Sequence, residues 1–362
     1  MRGLPHAILA AAALVPAACG KPRPPTPIVT LERATDTVAA TFGEVTAGVW
    51  LAGERWAVLA PATEQVAIVD FSAHTATPLG GQSTRELRSP ATLFRAADTL
   101  YVGDWGLRRT SRWTFDGRFT GAVPASDAVR GVLPRAADRA GRFYLEMAPR
   151  PGAEGLGNRD SSAVVRTGRD FVPVDTIARL APLDVAEVVG AAGRHFEQRV
   201  FSGADQWGAL PDGSVWVARV YENRVDWRDP AGRWTRGDPL PDRVLEVTRY
   251  DRELFLRRFP KELRATAQQL PFAAVKPPFE AGFTSPSGDV WLEKSRAPSD
   301  SSREYHVVDR LGHMRANIRL PGRGHVIAVG RDAVLVYDVS GAGARLLRFV
   351  VPAFRPSATP KE

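Results

Sequence analysis

Apolar and polar residues alternate over much of this chain, and the clearest run is Gly213 to Trp234, GSVWVARVYENRVDWRDPAGRW. Val215 and Val217 mark one strand, Val225 and Trp227 the next, and Asp-Gly and Pro-Ala-Gly punctuate the ends. A period of two interrupted by such turn residues predicts consecutive β-hairpins. Weaker copies recur. A first strand and its turn fall at Val45 to Glu54, Ala91 to Asp98, Leu133 to Gly141, Trp207 to Gly213, Phe283 to Gly288 and Val326 to Asp332. A β-branched or aromatic strand follows at Trp56 to Leu59, Leu100 to Val102, Phe143 to Leu145, Val215 to Ala218, Val290 to Glu293 and Val334 to Tyr337. Third strands include Val66 to Phe71, Ser111 to Phe115, Val225 to Trp227 and Tyr305 to Val308.

Units of four strands at a spacing of roughly 45 residues are the pattern of propeller blades. The order predicts an all-β, six-bladed β-propeller of four-stranded antiparallel blades. A β-sandwich would account for the strand content but not for the repeated order. The last unit supplies three strands, ending at Arg345 to Val351, and Thr37 to Val45 is a spare strand ahead of the first. It is expected to complete the last blade, clasping the ends of the ring and removing a sheet edge.

The run V-W-V-A-R, E-N-R-V-D-W, R-D-P-A-G-R-W resembles the repeat of the NHL/TolB-like six-bladed propellers, in which a V-Y-V-A-D strand is followed by N-x-R-I-x-x-F-D. The other units match in spacing and apolar pattern only. The resemblance implies the fold and little about function, because propellers host binding proteins and enzymes alike. Arg219 stands where the repeat usually carries aspartate, while Asp104 keeps it in another unit.

The N-terminus carries a different message. Arg2 precedes an apolar stretch, Ala7 to Ala18, that ends in V-P-A-A-C-G, which reads as a signal peptide (1–18). Cys19 is the only cysteine and resembles the lipidated residue of a bacterial lipobox, with Pro16 departing from the pattern. Gly20 to Pro27, GKPRPPTP, reads as an extended spacer, so residues 19–36 are taken as a tether, 37–354 as the propeller and 355–362 as a disordered tail. A lone thiol gives the folded part no disulfide framework. The implied location is the cell envelope as a membrane-anchored lipoprotein, otherwise secretion.

Charge changes the picture little. The chain of 362 residues carries 48 Lys plus Arg against 40 Asp plus Glu, a net +8, but the excess is arginine scattered singly and only five residues are lysine. No basic cluster interleaved with aromatics points to nucleic acid. An envelope protein, a glycan or a small molecule is the expected partner, with the chain itself monomeric.

Catalytic patterns are not evident. His74, His195, His306, His313 and His325 fall in different units without metal-ligand spacing, and Gly155-Leu156-Gly157 and Gly341-Ala342-Gly343 read as turns. Neither catalytic nor metal residues are assigned, and no cofactor is expected. The alternative is a Ca2+-dependent lactonase or ester hydrolase of the gluconolactonase type, similar in architecture, in which carboxylates from several blades converge on one ion. Asp104, Glu146 and Glu293 at second-strand ends would then be ligands; pairing with arginines such as Arg108, Arg150 or Arg296 is the competing expectation.

Loop lengths give the sharper lead. Connections between strands one and two and between three and four are short, whereas the others carry every insertion: Pro149 to Ser161, Leu183 to Ala204, Asp242 to Ala281 and Arg296 to Ser302. In an up-and-down blade these two sets lie on opposite faces, so all long loops share one face. The insertion at 242–281, between blades 4 and 5, holds the one convincing helix: Thr248 and Asp251 form a capping box, and Tyr250, Leu254, Leu263 and Leu270 have apolar spacing. Arg249, Arg252, Arg257, Arg258, Lys261 and Arg264 would make its solvent side basic. The expected function is binding on the long-loop face through Asp104, Trp105, Arg108, Glu146, Arg219, Tyr221, Arg224 and Glu293, with Trp216, Trp227 and Trp291 packed between blades.

Overall fold

The computed structural model describes residues 26–80, 86–148, 162–190, 193–340 and 343–354. The signal segment, Cys19, the start of the spacer, Arg150, the Gly155–Gly157 turn, most of the Gly341–Gly343 turn and the tail lie outside these residues. Six antiparallel sheets of four strands stand around an axis. Blade 1 comprises Ala47–Ala52, Arg55–Ala60, Gln65–Asp70 and Thr75–Pro78, and blade 2 Pro90–Ala96, Thr99–Asp104, Arg109–Trp113 and Phe119–Pro124. Blade 3 is Ala136–Ala137, Phe143–Met147, Ala163–Thr167 and Pro173–Arg179, and blade 4 Gln206–Ala209, Val215–Arg219, Arg224–Arg228 and Trp234–Thr235. Blade 5 is Phe279–Thr284, Val290–Lys294, Ser302–Val308 and Met314–Pro321. Blade 6 draws three strands, His325–Val329, Ala333–Asp338 and Arg345–Val350, from the C-terminal end.

The fourth strand of blade 6 is N-terminal, as the closure argument expects. Asp36–Ala39 pairs antiparallel with Arg345–Val350, with Asp36 opposite Arg348 and Ala39 opposite Arg345. The clasp is shorter than Thr37 to Val45, because from Ala40 the chain must turn towards blade 1. Phe42 and Val45 still bury there, beside Trp56 and Phe71. A further strand, Ile28–Thr30, adds to the outer edge of blade 5 and runs parallel to Met314–Pro321.

Six apolar clusters hold the ring, one at each seam between neighbouring blades. Strand alternation explains this arrangement, since successive side chains point to opposite sheet faces and each face meets a different neighbour. In Val290–Lys294, Val290 and Leu292 pack towards blade 4 while Trp291 packs towards blade 6. Trp216 and Trp227 also lie in seams: their indole N–H groups donate to Thr284 Oγ1 and the Asp309 carbonyl, both at 2.8 Å.

The repeat aspartate is a latch. Asp104, fully buried at the end of a second strand, accepts backbone N–H bonds from Arg88 (2.7 Å), Ser89 (3.1 Å) and Leu107 (2.8 Å), tying two loops together. Blade 4 reaches the same end differently. Asp205 sits just ahead of the first strand and accepts from the Ala181 and Val220 N–H groups, both at 2.9 Å, while Arg219 reaches across to it at 2.9 Å. The Asp-to-Arg departure is thus compensated by a carboxylate from the adjoining strand.

The long connections among the described residues emerge on one face. Leu183 to Ala204 folds as a hairpin, Val185–Gly190 with Gly193–Gln198. The 242–281 insertion holds helix α1, Arg249–Leu256, with the Thr248–Asp251 capping box, and a short helix α2, Arg264–Ala267. The helix register differs from the predicted stripe: Tyr250 and Leu263 are exposed, and Phe255 packs instead on Phe201 and Phe272, with Phe259 against Phe255. The reason is Asp251, which turns inward to meet Lys276 at 2.6 Å in a nearly buried pair. Burial alone would raise the Asp251 pKa, but the bonds from Lys276 and Thr248 outweigh it and lower it.

Two substitutions test these supports. Val38→Asp puts an unpaired charge into the blade 6–1 seam and should cost about 3 kcal/mol, a fall of roughly 5 °C in melting temperature; wild-type melting would show that the clasp does not close the ring. Asp104→Asn keeps the shape but weakens three charge-assisted bonds, and chemical denaturation should report a loss of about 2 kcal/mol.

Candidate functional site

The eight residues selected from sequence lie at the long-loop ends of blades 2 to 5, but they do not form one site. Asp104 is consumed by its latch. Trp105 and Arg108 follow it in the same connection and stand in solvent, Trp105 half exposed and Arg108 3.5 Å from the exposed Asp127. Glu146 on blade 3 accepts from Arg135 and from the Trp207 indole N–H of blade 4, both at 3.0 Å, and the Arg135 guanidinium stacks on Trp207. Arg219 and Arg224 are brought together by Asp226, which lies 3.3 Å from Arg219 Nε and 2.8 Å from Arg224 Nε. Tyr221 is exposed, with its hydroxyl donating to the Pro182 carbonyl at 3.0 Å. Glu293 is buried and bonds Arg303.

Arginine pairing, the competing expectation for the carboxylates, is met by Glu146 and Glu293 but not by Asp104, and Arg150 lies outside the described residues. Asp104 takes backbone N–H groups, Glu146 takes Arg135 and Glu293 takes Arg303. Among the described residues no group of three or more His, Cys, Asp or Glu side chains is placed to hold a metal ion.

Blade 5 concentrates the unusual electrostatics. Glu293 and Lys294 end its second strand and point to opposite seams, because neighbours in a strand alternate. On the blade 6 side, burial raises the Glu293 pKa against the opposing pull of Arg303. His325 is there too, its pKa lowered by burial and then by Arg303 and Arg296. On the blade 4 side, Lys294 lies 3.1 Å from Asp242, which the insertion contributes, and burial lowers the lysine pKa.

Beside Lys294 a cleft of about 440 Å³ opens at the long-loop end of blade 5, walled by its second to fourth strands, the 295–302 connection and the start of the insertion. Its floor continues the apolar packing of Leu292 and Val308. Above that floor the register places His306 beside Leu292, with Asn317 opposite His306 on the next strand. Burial and the nearby Lys294 charge depress His306 to about 4, so its imidazole is neutral near pH 7. His306 Nδ1, Asn317 Oδ1 and Ser295 Oγ are buried without a hydrogen-bond partner among the described residues. Arg243 pairs with Asp300 at 3.0 Å across the mouth. Sequence reasoning had set His306 aside as an ordinary strand residue and did not consider Lys294. The available signal was the E-K pair ending a strand whose earlier residues are all apolar.

No family model matches the chain, and no curated protein matches it either. Solved structures do resemble it. A member of the DUF4221 family from Bacteroides vulgatus is similar at 10% identity, with 88% of this chain and 96% of that one covered and a TM-score of 0.49. A putative exported protein from Bacteroides fragilis is similar at 7% identity over 90% of this chain and 100% of that one, with a TM-score of 0.48. A calcium-binding protein, regucalcin, from Agrobacterium tumefaciens is similar at 9% identity over 91% of this chain and 98% of that one, with a TM-score of 0.44.

Proposed function

We propose that this protein is an exported, lipid-tethered binding propeller of the cell envelope that meets its ligand on the long-loop face. The observation that carries the reading is the polarity of the molecule. The long connections among the described residues leave one face, and the N-terminal strand enters from the other. Ile28–Thr30 runs parallel to Met314–Pro321, which itself rises from the tight turn at 309–313 towards the long-loop face. A tether from Cys19 to Ile28, extended at about 3.1 Å per residue, would span roughly 28 Å. It would set the short-turn face towards the membrane and present the long loops outward.

On that outward face the exposed Trp105 and Tyr221 are suited to contact, since each offers a large, stiff ring at low entropic cost. Asp104, Arg219 and Arg224 act behind them as supports. Cys19→Ser should move the expressed protein from the membrane fraction to the soluble one; wild-type protein found only in the soluble fraction sinks the tether. Trp105→Ala and Tyr221→Ala should melt like wild type, because neither removes buried packing. Arg219→Ala, which leaves the buried Asp205 carboxylate with only the Ala181 and Val220 N–H groups, should lose about 2 kcal/mol, and an Arg219→Ala protein as stable as wild type would return Arg219 to the contact surface.

A further inference from the structure

Like the blade 5–6 seam, which holds Glu293 and Arg303, the blade 4–5 seam changes character along its length. Val290, Leu292 and Val308 fill it near the short-turn side, and Leu240 and Trp227 close on them from blade 4. Towards the long-loop face the same strand positions become Lys294, His306 and Asn317. Burying polar groups in place of apolar ones costs stability, on the order of 1–3 kcal/mol for each group left without a partner. His306 is 4% exposed, yet its Nδ1 is unpartnered, and it lines the cleft with Asn317 and Ser295, which are in the same condition. A stretch that packing alone would fill with leucine or valine is therefore polar, and it faces an opening large enough for a small molecule.

The charges of the lining indicate the class of ligand. Lys294 is neutralised by Asp242, Arg243 by Asp300, and Glu304 by Arg319 at 3.0 Å. A cation would meet Lys294, Arg243 and Arg296, which also lines the cleft, and an anion at the orphaned atoms would have to draw Lys294 away from Asp242. A hydroxyl group both donates and accepts, so it can serve the orphaned Asn317 carbonyl, the His306 ring nitrogen and the ammonium hydrogens of Lys294 alike. Ser299, Ser301 and Ser302 add hydroxyls around the opening, and Pro241 is its one aliphatic side chain, which leaves little for an apolar ligand to gain.

We propose that the cleft between blade 5 and the start of the insertion binds a neutral, polyhydroxylated molecule of about one sugar ring, held by Lys294, His306, Asn317 and Ser295. The inference rests on the binding reading above and gives it a place and a chemistry. The insertion takes part directly: Asp242 and Arg243 come from its first residues, and the Asp251–Lys276 pair fastens the following helix, with Lys276 also donating to the Arg296 carbonyl at 2.7 Å. Docking of the insertion therefore shapes one wall of the cleft.

Thermal melting and calorimetric titration of the purified protein with D-glucose, D-galactose, N-acetylglucosamine and myo-inositol test this, with citrate, inorganic phosphate and spermidine as charged comparators. At least one neutral probe should raise the melting temperature, by the linkage of binding to folding. His306→Leu should leave the free protein as stable as wild type or more so, while weakening that probe by about tenfold or more. Asn317→Leu provides the same comparison if His306→Leu does not fold. Response to the charged probes alone, or to none of the seven, overturns the proposal. A neutral probe whose binding survives both substitutions also overturns it, but leaves the binding reading standing with its site elsewhere. Failure of Cys19→Ser to change fractionation bears on the tether and not on the cleft.

Discussion

Every other feature depends on apolar surface being buried on both faces of each blade. A four-stranded sheet with two apolar faces is not stable alone, because each face must be covered and each CH2 taken out of water contributes about 0.8 kcal/mol. Six such sheets solve the problem mutually, each serving as its neighbours' cover, provided that the ring closes. Closure falls to Asp36–Ala39, whose Val38 faces the blade 6–1 seam while its backbone completes the outer edge of blade 6. The tryptophans add direction to this packing. Trp216 and Trp227 bury their rings and spend their single N–H donors across a seam, so they align one blade on the next as well as filling space.

Ring closure also separates support from presentation. Strands are committed to the seams, and only the connections are free to vary. The short connections are occupied with turning the chain, as in Asp309, whose carboxylate accepts from the N–H groups of Leu311 and His313. The long ones carry a hairpin, a helix pair and the wall of a cleft. Phe255, Phe259 and Phe272 of the insertion form a small apolar core with Phe201 of the preceding long connection, and Asp251 with Lys276 anchors the insertion beside blade 5. The insertion is thus positioned rigidly enough to contribute Asp242 to a lysine on a neighbouring strand.

Blade 5 is where the packing rule gives way. Glu293 and Lys294, adjacent in one strand, carry opposite charges into opposite seams, and each has one partner of opposite sign. Buried pairs of this kind contribute little net stability compared with apolar residues of similar volume. Their presence at the long-loop end of both seams, and the neutral His306 beside one of them, is more simply related to what the face meets than to what holds the ring together.

The alternation of Gly213 to Trp234 and its five weaker copies was enough to determine blades, their number, the N-terminal clasp and the face on which the long loops lie. These are consequences of period, spacing and strand parity, which are properties of the chain itself. The Thr248–Asp251 capping box was legible for the same reason, since its partners are three residues apart. Partnerships between distant positions were not legible. Arg219 looked like a contact residue until Asp205 and Asp226 appeared on either side of it, and Asp104 looked available until three backbone N–H groups closed on it. Lys294, His306 and Asn317 come from three strands, and Asp242 from an insertion 52 residues ahead of Lys294. Nothing local distinguishes such residues from ordinary strand positions, because their burial and their missing partners exist only once two blades are packed against each other.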